Sequence, residues 1–159
     1  MTRYLIALAL LIATGSVAAA PPGVLRLDAK APMDVTYRAV HGALEEARFW
    51  VVFEVDLGGN LASFAERWGE DYNRNALSGI RSVVVCNGWY ANQVGNADPD
   101  LLALCPLRVN LVEKDGVTRI LFARPTVIAQ GSPAIGVVKE IEDAIKAALE
   151  AAVATAEGR

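Results

Sequence analysis

Basic residues are in slight deficit: 15 Lys and Arg stand against 18 Asp and Glu in 159 residues, a formal charge of −3. A nucleic-acid surface needs clustered cations to displace counterions from phosphates, so this balance argues against such a partner. Histidine is rarer still, with His41 alone. A metal centre normally gathers three or four His, Cys, Asp or Glu ligands, and no Cys-x-x-Cys, Cys-x-x-Cys-His or His-Glu-x-x-His spacing occurs. That excludes a closed zinc site and covalently attached c-type haem, and leaves metal out of the expected cofactors. Gly58-Gly59 and the scattered glycines match neither nucleotide-binding fingerprint. Ser63, Ser78, Ser82 and Ser132 lack the strained turn of a hydrolase nucleophile. Glu45-Glu46 and Asp98-x-Asp100 read as solvated helix and turn carboxylates. The expectation is a protein without enzymatic chemistry.

What the chain does have is apolar content, 53%, which is too high for a disordered chain. Part of it lies in a single run near the N-terminus. Arg3 precedes YLIALALLIA, and a small-residue tail ends in VAAA before Pro21-Pro22. One basic residue, about ten apolar residues and an Ala-rich end are the parts of a secretory signal peptide, shorter than a spanning helix requires. Residues 1–19 are assigned to it, with cleavage after Ala19 because Pro21 would disfavour a cut after Ala20. The expected location is periplasmic or secreted, with no membrane anchor after cleavage. Residues 24–156 form one domain.

Downstream, VLRLD (24–28) alternates like a half-buried strand. From Asp34, the expected N-cap, to Ala47, the apolar stripe Tyr37, Val40, Leu44 and Ala47 marks a helix. FWVVFEVDL (49–57) is a strand whose alternation puts Val51, Phe53, Val55 and Leu57 on one face. Leu61, Phe64, Ala65 and Trp68 have helical spacing, and Gly69 suits the end of that helix. IRSVVVCN (80–87) is an interior strand, followed by a short helix over about 89–94 and a buried turn at 101–104. Lys114-Asp115-Gly116 between two alternating runs is a hairpin signal. The last helix starts from Ser132 as N-cap and Pro133 at its first position. The order β-α-β-α-β-α-β-β-α implies an α+β fold, a mixed sheet with helices packed on it.

Export gives the two cysteines their interest, since an oxidising compartment permits a disulfide. Cys86 ends a Val-rich strand, where the N-terminus of the next helix would favour the thiolate. A buried inert thiol, a disulfide to Cys105 and a functional thiol all fit. Asn87, Cys105 and His41 complete the candidate set for ligand binding or redox work, with His41 more simply a boundary histidine hydrogen-bonded locally.

The succession FWVVFEVDL, VVVCN and ADPDLLALCPLRVNLVEKDG resembles the uncharacterised DUF302 family over about residues 34–123. That family typically shows Gly-Phe before the second strand, Cys-Asn-Pro or Phe-Asn-Pro after the third, and Asp-Pro before Leu-Pro. Here Arg48-Phe49, Cys86-Asn87-Gly88, Asp98-Pro99 and Cys105-Pro106 occupy those places. The resemblance implies a compact α+β domain that tends to form homodimers, without established catalytic activity. The leading expectation is therefore a homodimeric periplasmic module that binds a small ligand or a periplasmic protein. The alternative is a thiol-dependent redox, sulfur-handling or non-covalent haem protein centred on Cys86.

Overall fold

In a computed structural model of the protein, which describes residues 20–159, the chain forms one five-stranded sheet. The strands are β1 (Val24–Ala29), β2 (Trp50–Asp56), β3 (Gly79–Cys86), β4 (Leu107–Lys114) and β5 (Val117–Ala123), in spatial order β1-β5-β4-β3-β2. The signal-peptide assignment, residues 1–19, lies outside the described residues. The element order is roughly the one expected, with a further short helix between β2 and β3 and another, α5 (Pro125–Ile128), after β5; the fold is α+β. The sheet is antiparallel throughout rather than mixed. The first two strands, joined by a helix, lie on opposite edges, so that helix makes no parallel β-α-β unit.

Two long helices cover one face of the sheet. α1 (Met33–Glu46) and α6 (Ile135–Ala156) pack on each other, and buried Val40, Leu44, Ile145 and Leu149 meet Val83, Val85, Leu111, Ile120 and Phe122 in one core. Strand alternation does the rest: in β5, Thr118, Ile120 and Phe122 are buried while Arg119 and Leu121 are half-buried on the outer face. Asp115 and Gly116, with φ of 52° and 75°, make the two-residue turn expected between β4 and β5.

α1 ends in a Schellman motif. Phe49 N–H donates to Leu44 O and Arg48 N–H to Glu45 O, while both Phe49 and Leu44 enter the core. The motif needs a left-handed residue, and Arg48 adopts it with φ of 64°. The glycine of the Gly-Phe pair that the resemblance implies would stand at this same position, where a side chain carries a steric cost.

Helix starts differ from the sequence expectation. α1 is preceded by Pro32 in the cap position, and Asp34 instead sits within the first turn and pairs with Arg81 at 3.0 Å. α6 begins at Ile135; Ser132 Oγ accepts from Ala134 N–H but donates to Asp98 Oδ2 at 2.6 Å, tying the helix approach to the 98–104 turn.

The larger difference is in β2. Its register against β3 shifts between Val51 and Phe53, a β-bulge. Before it, Val51 lies opposite core residue Val85; after it, Phe53 and Val55 lie opposite Val84 and Ser82 on the outer face. Glu54 and Asp56 take the face toward the helices. One extra residue thus reverses the faces that simple alternation assigns.

Candidate functional site

The expected site residues fall into two places. Cys86, Asn87 and Cys105 line one small pocket with Phe49, Tyr90 and Ile141, while His41 is not among its lining residues. Both thiols are free. The pocket holds only about 20 Å³, room for about one water molecule. It has no room for a haem. Burial, and secondarily the neighbouring Cys86, push the Cys105 thiol above its ordinary pKa, the reverse of what an activated nucleophile needs.

Asn87 has a structural duty here. Its Oδ1 accepts from Tyr90 N–H at 3.1 Å and caps α4 (Gly88–Ala97), and its Nδ2 donates to the carbonyl of Arg48 at 3.0 Å. Phe49 and Tyr90 stack beside it with centroids 5.9 Å apart. The Cys-Asn turn therefore locks the end of β3 to the start of β2.

His41 belongs to a polar cluster between α1 and the sheet. Its Nε2 lies 3.5 Å from Glu54, whose carboxylate also receives the Tyr37 phenol. The Arg81 guanidinium stands 4.9 Å above the Tyr37 ring and pairs with Asp34. Burial first, and the hydrogen bond to Glu54 next, push the Tyr37 phenol well above its ordinary pKa. Glu54, Tyr37 and Arg81 were not legible as partners in the sequence, because only the bulge in β2 turns Glu54 toward α1. The notch beside this cluster, lined by Asp34, Asp56, Arg81 and Glu113, is engaged internally. Asp56 accepts from Gly59 N–H at 2.9 Å and Glu113 from Met33 N–H at 3.0 Å. Among the described residues, no group of three His, Cys, Asp or Glu is placed to hold a metal ion.

The cavity with the character of a binding site lies elsewhere, under the connection between β2 and β3. This segment forms two short helices, α2 (Leu57–Ala62) and α3 (Ala65–Trp68), instead of the single helix expected from the spacing, and neither buries a residue. Gly69, with φ of 51°, ends α3. Leu61, Phe64 and Trp68 stay partly exposed, the last two stacked at 5.1 Å. Between this segment and the start of β3 lies a cleft of about 320 Å³, lined by Leu61, Ala62, Trp68, Tyr72, Leu77 and Ile80. It is predominantly apolar and falls within the size range of small-molecule sites, about 300–1,000 Å³. The amphipathic spacing that includes Leu61 and Trp68 was its signal in the sequence, read there only as a short helix.

Comparison with known proteins gives a consistent picture. A family model described as "Domain of unknown function DUF302" matches residues 25–152. Among solved structures, the chain is similar to the crystal structure of an uncharacterized conserved DUF302 protein from Bacillus stearothermophilus, with a TM-score of 0.70 and 20% identity over 82% of this chain and 98% of that one. At that identity the likeness shows the fold. No curated protein matches.

Proposed function

The chain belongs to the DUF302 family, and from that premise we propose that it is an exported, homodimeric, non-enzymatic module that binds a small apolar ligand or an apolar segment of a partner protein. The observation that carries the reading is the cleft under α2 and α3, with Trp68, Tyr72 and Leu61 on its walls. Apolar side chains that a folded chain leaves unburied around a concavity of ligand size gain free energy when an apolar guest displaces water from them. Export is supported by the basic, apolar and small-residue order of positions 1–19.

The thiol-centred alternative has less support. The pocket beside Cys86, at about 20 Å³, is too small for a substrate or a haem, and the raised pKa of Cys105 argues against a second thiolate there.

An anilinonaphthalene sulfonate dye tests the cleft. The expected result is enhanced dye fluorescence with the wild-type protein, lost in Trp68→Ala and in Ile80→Glu while the far-UV circular dichroism is unchanged. Equal enhancement in both variants would place the apolar site elsewhere and overturn the assignment.

A further inference from the structure

We infer that β2 is the surface on which a second copy of this chain docks, the two β2 strands lying antiparallel across a two-fold axis. The inference rests on the homodimeric reading above and adds the surface and the geometry. Among the described residues β2 is an edge strand, with β3 on one side and no strand on the other. Its outer backbone groups are available to another strand. The side chains around that edge are apolar and uncovered: Trp50 is 56% exposed, Val52 57% and Phe53 62%. Trp89, three residues beyond the strand that pairs with β2, is 67% exposed. Lysine and proline, two of the usual blocks to edge pairing, are absent from WVVFEVD, and the bulge between Val51 and Phe53 interrupts the edge at one place.

Charge along the strand selects the occupant and the direction. The exposed Arg48 stands just before β2, while Glu54 and Asp56, each with an internal partner but still exposed, stand near its end. A second copy running antiparallel brings each Arg48 toward the acidic end of its neighbour; a parallel copy would set like charges side by side. The two-fold axis makes the patch self-complementary, as an isologous contact must be. The exposed parts of the four apolar side chains amount to on the order of 400 Å² per copy, given about 150–250 Å² for a whole aromatic side chain. The strand backbone beside them extends the patch toward the ~800 Å² per partner of a standard interface.

Multi-angle light scattering on the purified protein tests this. The wild type is expected at twice the chain mass. The variant Val52→Lys/Phe53→Lys is expected at the single-chain mass with unchanged far-UV circular dichroism, since both side chains are exposed, while Val127→Lys, on another exposed surface, stays dimeric. A dimeric Val52→Lys/Phe53→Lys protein overturns the docking surface and leaves the homodimeric reading standing; a monomeric wild type overturns both. Arg48→Glu is expected to weaken the dimer several-fold, more so at low salt, and an unchanged dissociation constant overturns the antiparallel arrangement.

Discussion

The two edges of the sheet hold equivalent positions and are finished in opposite ways. At β1, Arg26 and Asp28 pair at 2.7 Å, Arg119 reaches the same carboxylate from β5, and α6 packs alongside. The chain is pinned at both ends of that strand. Arg124 N–H donates to Gly23 O before it, and Lys30 N–H donates to Glu157 after it. At β2 a bulge turns Phe53 and Val55 away from the helices, and Glu54 replaces them on the inner face. One edge is closed by charge and helix; the other shows aromatic surface. The contrast teaches that an edge is defined less by its hydrophobicity than by which way the register points it.

The sharpest way to break this comparison is to make the same truncation beside the closed edge and on the open one. Phe122, on β5 next to β1, is 1% exposed. Phe122→Ala is expected to cost about 3–5 kcal/mol in urea unfolding through lost burial and the cavity left behind. Phe53→Ala is expected to change single-chain stability by less than about 0.5 kcal/mol. Equal losses would mean that the β2 face is buried within the monomer and that the asymmetry does not exist.

The fold was readable in the sequence to the extent that one element at a time decides it. The periodicity of α1 and α6, the valines of β3 and the Asp-Gly turn each depend on residues close together, and each element formed about where its pattern lies. The strand order and the bulge depend on pairing between distant segments, which alternation within FWVVFEVDL does not encode. For the same reason the helical spacing of Leu61, Phe64 and Trp68 was visible, but not that Leu61 and Trp68 border a cleft. Cys86, Asn87 and Cys105 do converge, although what Asn87 holds there is a helix start and a backbone carbonyl rather than a ligand.

A second prediction bears on the closed edge. Buried Glu142 on α6 accepts from Arg124 Nε at 2.8 Å, from Thr126 N–H at 3.0 Å and from Thr126 Oγ at 2.5 Å. Burial alone would raise its pKa, but these donors outweigh burial and hold the carboxyl below its ordinary value. Its stabilising contribution is therefore complete above the pKa of an unfolded glutamate, declines as pH falls below that value, and is gone below the depressed folded pKa. Glu142→Gln is expected to cost about 1–3 kcal/mol at neutral pH and to flatten the acid side of the stability curve. Chemical denaturation at several pH values checks both.

The smallest expected effect is a gain at the start of the open edge. Arg48→Gly relieves the left-handed strain at the end of α1, partly offset by the greater freedom of glycine in the unfolded chain. The net expectation is a stabilisation of about 0.5–1 kcal/mol, read as a higher urea midpoint with an unchanged slope. A loss of stability would mean that the Arg48 side chain contributes more to the monomer than its backbone conformation costs.

The pairing of β1 with β5 sets Leu25 against Phe122 and Leu27 against Ile120, joining the two ends of the domain across nearly its whole length. No shorter N-terminal piece of the chain can complete this sheet. Until β5 has been synthesised the first strand has no neighbour, so assembly is a late event with a large loop to close, and topologies of this kind fold slowly relative to helical bundles.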